Sequence, residues 1–575
     1  MLSVVLIIEI QMFRKNTEHL TPDLFGIQNT LPESMLEKVH KSEEYHFYKI
    51  IFSHIKEDIF KVLYSEKKSR PNAPINAMVS ALILMNRNKW TYEELFKNIC
   101  FNILVKIALG LDNLTKMPFC PATLFNFQNK LSAHFVKTGE NLLEQVFDSL
   151  TVEQLKTLKI KTNIQRTDSF LAASNIRNFS RVQLLVEIII RLYRILSKED
   201  KERFKVQFQP YVRKTSGQYI YKLKASDLPH QLEKIGEMYF WIFQNLKAAY
   251  GEYEIFRTFE RVYAEHFTII DKKVEVKSSK ELHSGCVQSP DDLDATYREK
   301  REKKSKGQAI NVTETASPDN RLNLITDVDV NPNNIDDSKV LNKRIDKLKE
   351  KTPDLNELHF DGAYGSIDND RKFDKHNINP IQTGVRGKDA AVNIKIDQIS
   401  ESQYLVSCPK QKVKSEKARK RLKAKFDLSI CNRCKHREKC QTLQRKGHRV
   451  FYFTSDDYLK KKREGAINTI PPERRKLRSN IEATVNEFVS KMPKGKLKVR
   501  GAFKASIFAY SVAISVNFGR IYRLLRDNPE YVASILQYFY HFVKEQLRLI
   551  AKKIINTKNL SFEPLKLKYI SVLCF

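Results

Sequence analysis

The 575-residue chain carries 100 Lys and Arg against 67 Asp and Glu, a formal charge of +33, while 42% of its residues are hydrophobic. That combination excludes a disordered basic tail and points to folded domains with an acidic polymer for a partner. Eight unevenly spaced cysteines exclude a secreted disulfide scaffold, and no apolar run reaches the roughly 18 residues of a spanning helix, so a cytoplasmic protein with no membrane contact is expected.

The apolar opening MLSVVLIIEIQMF is broken by Glu9 and lacks both a basic leader and a small-residue cleavage site. That argues against a signal peptide and favours a start at Met12, with residues 1–11 a non-structural extension. Residues 12–155 read as a helical amino-terminal module. In INAMVSALILMNRNKWTYEELFKNICFNILVKIALGL the apolar positions recur at three and four, and Thr91 ahead of Glu93 and Glu94 opens a new helix after a break at 86–90. The break suits a helix-turn-helix and a plain helical bundle equally.

LKIKTNIQRTDSF changes the period. Leu158, Ile160, Thr162 and Ile164 alternate with polar residues, which predicts a strand closing near Asp168. Helical spacing then returns over 181–267, an insertion spanning about 180–275, with only QYIYKLKA strand-like inside it. Beyond a polar linker at 274–306, QAINVTETAS, NLITDVDVNP, ELHFDGAYGS and NPIQTGV read as strands, with one helix, DDSKVLNKRIDKLKEKT, between the second and third. Strands grouped around a crossover helix indicate a mixed α/β sheet interrupted after its first strand, with residues 156–390 as the first part of the core.

Residues 410–449 hold sixteen Lys or Arg and three acids, and 450–504 hold fourteen against six, so these 95 residues carry +21 of the +33. We take 391–465 as a basic cysteine-bearing insertion, 466–530 as the second part of the core, and 531–575 as a helical tail. Helical spacing after Gly501 runs on to Leu549, with Asn528 and Pro529 placed as an N-cap and a first-turn proline. Cys408, Cys431, Cys434 and Cys440 supply four thiols, and the Cys431-x-x-Cys434 pair has the spacing of a tetrahedral structural zinc site. On spacing alone, zinc and buried free thiols are balanced. His436 is an alternative ligand to Cys440, while Cys100, Cys120, Cys286 and Cys574 read as packed or incidental.

The chain has no P-loop, no GxGxxG and no HExxH, which removes the common nucleotide and zincin chemistries. What remains is acids at strand ends in a chain that otherwise repels cations. Asp168 and Asp361 sit there, and oxygen ligation of a divalent metal by them would bring phosphate and a nucleophilic water together. Each also has an ordinary explanation, since Asp168-Ser169 and Asp361-Gly362 are turn-forming pairs. Glu482 lies at the edge of an apolar stripe formed by Ile481, Val485 and Phe488. Arg478, four residues ahead of it, is in the less favourable order for a helical ion pair, whereas Glu487 and Lys491 are in the favourable order and belong on a solvated face.

Read together, RTDSFLAASNIRN, SPDDLDATYREKREKKSKGQAINVTETAS, HFDGAYGS, IQTGVRGK and RSNIEATVNEF resemble the insertion-sequence transposases of the Asp-Asp-Glu class, in particular the bacterial group with a cysteine cluster inserted in an RNase H-like core. The likeness runs in order from about residue 21 to about 525. It implies an α/β fold: an RNase H-like mixed sheet with a helical amino-terminal domain that binds DNA, a helical insertion and a small zinc-ribbon-like insertion. It further implies metal-dependent cleavage and strand transfer on double-stranded DNA, at the element's terminal repeats and at a target. Asp168, Asp361 and Glu482 become the catalytic acids holding two Mg²⁺ or Mn²⁺ ions, the cysteine cluster a structural Zn²⁺ site, and a homodimer or higher assembly the working form. Arg386 in VRGK, Arg478, Lys491, Lys420 and Arg421 are candidate DNA contacts; the lysine often found seven residues after the glutamate is replaced here by Val489. Two rival readings are a transposase-derived DNA-binding protein without catalysis and a general nuclease of the same core.

Overall fold

The computed structural model describes residues 13–528 apart from 22, 25, 66–70, 213–214, 222, 272, 301, 385–391 and 401–402. The amino-terminal module begins with α1 (Glu33–His40), α2 (Glu43–Ile50) and α3 (Ile75–Arg87). It continues with α4 (Tyr92–Phe101), α5 (Ile103–Ala108), α6 (Pro121–Thr138) and α7 (Leu142–Thr157). Between α3 and α4 the chain turns through Lys89, whose φ is 58°. Thr91 and Glu94 then form a reciprocal capping box, satisfying two otherwise orphaned backbone donors.

The first strand, β1, is Ile164–Ala173. It therefore begins later and runs further than the alternation from Leu158 predicts. Leu158 ends helix α7, where its N–H is bonded to Gln154, and Asp168 lies in mid-strand rather than at its end.

After β1 comes the helical insertion, with α8 (Arg181–Ile195), α9 (Leu228–Tyr250) and α10 (Glu254–His266) around a core of its own that includes Ile188, Tyr239 and Phe259. The single helical pattern expected over α9 and α10 breaks at 251–253, and QYIYKLKA contributes a short helix, Ser216–Ile220, in place of a strand. His266 is buried, and its Nδ1 accepts from Arg181 Nε at 3.1 Å. Burial, with Arg181 and Lys277 nearby, holds its pKa down to about 4. Because the unfolded imidazole titrates near 6.5, the unfolded chain binds more protons between about pH 6.5 and 4, and the folded state loses stability as pH falls through that window. We expect a slope approaching about 1.4 kcal/mol per pH unit from this group. Comparing denaturant midpoints of wild type and His266→Gln across that range tests it; parallel pH curves would exclude it.

The span expected to be a linker contains regular structure. A hairpin of β2 (Phe267–Ile270) and β3 (Lys273–Val276) closes the insertion, and β4 (Thr296–Lys300) leads into the long β5 (Lys303–Thr315). Then follow β6 (Ile325–Pro332), helix α11 (Asp337–Lys351), β7 (Glu357–Phe360), helix α12 (Ile367–Lys375) and β8 (Asn379–Gln382). β1 is central. On one side it pairs antiparallel with β5, placing Asp168 opposite Val312; on the other it runs parallel to β7, which is parallel to β8. The far edge of β5 takes β4 at its start and β6 along the remainder, both antiparallel.

A second, antiparallel sheet is inserted after β8. Its strands are β9 (Lys395–Ser400), β10 (Gln403–Ser407), β11 (Lys412–Lys417), β12 (Leu422–Asp427), β13 (Leu443–Arg445) and β14 (His448–Phe453), in the spatial order 13-14-12-11-10-9. The chain returns through α13 (Ser455–Thr469), α14 (Pro472–Ser479) and α15 (Ile481–Val489) to α16 (Ala502–Asp527).

Helix α16 is apolar nearly all round because it is enclosed. Its buried residues join one core with Leu82 and Leu84 of α3, Phe147 of α7, and Val312 and Val328 of the sheet. Polar ties fix its rotation: Asn517 bonds both the N–H and the C=O of Ile325, and Arg87 donates to the carbonyl of Ser515. Asn528 ends this helix, its side chain donating to Leu524 O. Its reading as an N-cap requires Pro529, which lies outside the described residues, as do the proposed extension at 1–11 and the tail at 531–575.

Candidate active site

Three carboxylates converge beside the central strands. Asp168 projects from β1, Asp361 follows β7, and Glu482 stands in the first turn of α15. Parallel pairing of β1 with β7 brings the two aspartates together although they are far apart in the chain. In each, one oxygen is fixed by backbone. Ser169 N–H donates to Asp168 Oδ1 at 2.8 Å, and Ala363 N–H donates to Asp361 Oδ1, also at 2.8 Å. The turn anticipated at Asp361-Gly362 is thus present, whereas Asp168-Ser169 lies inside β1 and forms none; in both residues Oδ2 is left for other partners.

Arg478 meets those free oxygens. Its Nη2 is 2.8 Å from Asp168 Oδ2 and 3.9 Å from Asp361 Oδ2, while Nη1 donates to Glu482 Oε1 at 3.4 Å. The unfavourable sequence order does not prevent the last contact, because Arg478 lies in the last turn of α14, outside the helix that bears Glu482, and meets all three acids. Accessibility rises across the group: the side chains of Asp168, Asp361 and Glu482 are 14%, 32% and 66% exposed. Burial pushes the Asp168 carboxyl above its ordinary range, Arg478 and the Ser169 N–H oppose this, and Asp361 and Asp337 reinforce it. Asp337 is a further buried carboxylate beside the group, accepting from Ser169 Oγ at 2.8 Å and from Arg298 at 3.2 Å.

Helix α15 is held along one face. Ile481 and Phe488 are buried and Val485 packs against the core. On that same face Thr484, also buried, donates to Glu314 Oε2 at 2.7 Å. Glu314 is fully buried and also receives Arg166 Nε and Arg520 Nη1, each at 2.7 Å. Arg166 in turn bonds the carbonyl of Leu477, one residue before Arg478. Sequence reasoning missed this framework, although a glutamate inside the apolar run INVTETAS was its visible sign.

Family models match two segments of the chain: a transposase DDE domain over residues 404–522 and a transposase domain, DUF772, over residues 36–130. Both matches support an insertion-sequence DDE transposase. Its function is DNA transposition, with DNA as the molecule acted on. No curated protein and no solved structure matches it. The DDE-domain match contains Glu482 and the four cysteines at 408–440, whereas Asp168 and Asp361 lie before it; the other match covers the capped helix pair α3 and α4.

In the transposase the cysteines gather at one end of the inserted sheet. Cys408 follows β10, Cys431 and Cys434 follow β12, and Cys440 precedes β13; all four line one cavity with His436 and Arg449. Gln411 donates its backbone N–H to Cys408 Sγ at 3.3 Å and its side-chain amide to Cys431 Sγ at 3.4 Å. Burial pushes the Cys431 thiol up, with Cys408 and Cys440 adding to the effect. Among the described residues a different trio has ligand atoms within 4.8 Å of one another: Glu265, His283 and Cys286. There Glu265 accepts from Arg261 at 2.9 Å and from Val287 N–H at 2.8 Å, clamping the loop after β3 to α10.

The candidate DNA contacts of the transposase divide. Lys420 and Arg421 are exposed at the turn of the β11–β12 hairpin, with Arg421 4.7 Å from the centre of the Tyr452 ring. Arg478 is turned inward to the acids. Lys491 is half-buried and donates to the Arg87 carbonyl at 2.7 Å. The predicted surface pair with Glu487 is replaced, because Glu487 binds Arg520 at 2.6 Å and Arg523 at 3.5 Å. Arg386 lies outside the described residues. No described helix is long and apolar enough to cross a membrane.

Proposed function

We propose that the transposase cuts and rejoins DNA at its element ends by metal-dependent phosphoryl transfer, with Asp168, Asp361 and Glu482 as the catalytic acids. The observation that carries this is the convergence of one oxygen from each acid on a single guanidinium, which marks a point where positive charge is stabilised. The donor set fits Mg²⁺ or Mn²⁺, which take hard carboxylate oxygens. When bound, two such ions supply an activated oxygen nucleophile and stabilise the leaving oxygen of an in-line displacement. The protein's own part is placement. Backbone N–H groups orient both aspartates, and the Glu314 framework fixes the helix bearing Glu482.

The sheet supports an RNase H-like core: three antiparallel strands, β6, β5 and β1, continue into two parallel ones, β7 and β8, and helices follow from the carboxyl ends. We assign DNA binding to the amino-terminal helices, with Lys420, Arg421 and Arg386 as further phosphate contacts, and a dimeric or larger assembly to hold two ends together. The decisive experiment is cleavage of duplexes carrying the inverted repeats that flank the gene. Nicking that requires Mg²⁺ or Mn²⁺ and is confined to those repeats is expected. Retardation without nicking would overturn catalysis, and equal cutting of unrelated duplexes would indicate a general nuclease.

The cysteine-bearing insertion is proposed as a zinc-ribbon-like structural site. Four soft thiolate donors suit Zn²⁺ and leave no open position, so zinc there would support folding rather than chemistry. Purified protein is expected to hold about one zinc through this cluster, and Cys431→Ser is expected to lose it along with resistance of the insertion to proteolysis. Unchanged metal content and protection would remove the assignment.

A further inference from the structure

Arg478 occupies the place that the catalytic reading gives to metal. Its Nη2 stands between Asp168 Oδ2 and Asp361 Oδ2, and backbone N–H groups already hold the opposite oxygens of both aspartates. A divalent ion ligated by those same Oδ2 atoms competes with a guanidinium at 2.8 Å, because the two like charges repel at such short range. The arginine is only partly satisfied where it lies. Its Nε is buried with no hydrogen-bond partner, which is costly for a charged donor. Its helix, α14, has no buried residue and is tied down by side-chain bonds such as Arg166 to the Leu477 carbonyl. The side chain itself is 18% exposed, so it has a path outward.

We propose that Arg478 is an internal counter-ion that holds the three acids together before metal arrives, and that it exchanges them for a DNA phosphate when substrate docks. This rests on the assignment of Asp168, Asp361 and Glu482 as metal ligands. Without DNA, metal must displace the guanidinium into solvent, and affinity is weak. With DNA, the diester beside the acids accepts the guanidinium in a bidentate charge-assisted contact, and the Oδ2 atoms are released to metal. Metal and DNA therefore bind with positive coupling, and by linkage each strengthens the other by the same factor. The consequence is an enzyme that loads its metal on substrate.

The test uses the full chain, Mn²⁺ as probe, and a duplex of the gene-flanking inverted repeat, with bound Mn²⁺ followed by electron paramagnetic resonance. In wild type, Mn²⁺ binding that is abolished by Asp168→Asn is expected to tighten about tenfold or more when the duplex is added, in the usual range of coupling energies. Arg478→Gln is expected to bind Mn²⁺ about as tightly without DNA as wild type does with it, and to lose most of the DNA-induced gain; Arg478→Lys should restore part of the coupling. If Arg478→Gln binds Mn²⁺ no better than wild type without DNA, the counter-ion proposal fails while the metal site stands. If no Mn²⁺ binding sensitive to Asp168→Asn occurs with or without DNA, the assignment of the acids fails and the proposal with it.

Discussion

Alanine at Asp168, Asp361 or Glu482 is expected to lower strand cleavage at an element end by about 10³-fold or more while changing end binding measured without divalent metal by no more than about twofold, in line with the loss of a principal charge-stabilising group. The two effects separate because the acids, being negative, add nothing to the attraction of DNA phosphate by basic side chains. Asp168→Ala is the cleanest of the three: its side chain is 14% exposed and its Oδ2 makes the shortest contact with Arg478. Wild type should also lose cleavage on acidification earlier than an ordinary aspartate would require, since burial raises the Asp168 carboxyl and the protonated form is a poor metal ligand. Single-turnover cleavage beside gel retardation checks both. A variant cutting at wild-type rate removes that acid from the site.

The second large effect concerns stability. Glu314→Ala is expected to destabilise the fold by about 3–5 kcal/mol, because it leaves Arg166 and Arg520 buried without their shared carboxylate. Thr484 loses its acceptor in the same step, so the helix carrying Glu482 loosens and cleavage should fall even in the folded fraction. Glu314→Gln retains acceptor geometry for part of this network and should cost less. By contrast, Asp319→Ala breaks only the exposed pair with Lys161 and should change stability by less than about 1 kcal/mol. Denaturant titration of the three variants gives the order; a Glu314→Ala protein as stable as Asp319→Ala would refute the role given to the buried charges.

The sequence made some of this plain and hid the rest for identifiable reasons. Periodicity located α11 and the strands around it because those elements bury one regular face. It placed Ile481, Val485 and Phe488 on a single stripe, and their burial against the core is what presents Glu482 toward Asp168. It failed at Leu158, whose apolar alternation continues a helix end, and at 251–253, where a helical pattern survives a physical break. The strands assigned to a linker were masked by their charge: β4 and the start of β5 are rich in Lys, Arg and Glu because they form an exposed ribbon. Neither the contacts of Arg478 with the two aspartates nor the Glu314 network can be read locally, since the partners lie more than 100 positions apart. The motif resemblance named the acids but gave no sign that an arginine gathers them.

Helix α16 has a further bearing on how this protein comes into being. It threads the centre of a core built mostly from residues synthesised long before it; Arg87 waits for Ser515. On the ribosome, the helical module and the sheet emerge with their apolar faces uncovered, and both are sealed only when the final described helix leaves the exit tunnel. All three acids have been translated by then, yet the scaffold that aligns them is unfinished. Competence to cut is thus expected only once this helix has emerged, so that shorter nascent chains carry the proposed catalytic acids without the means to use them.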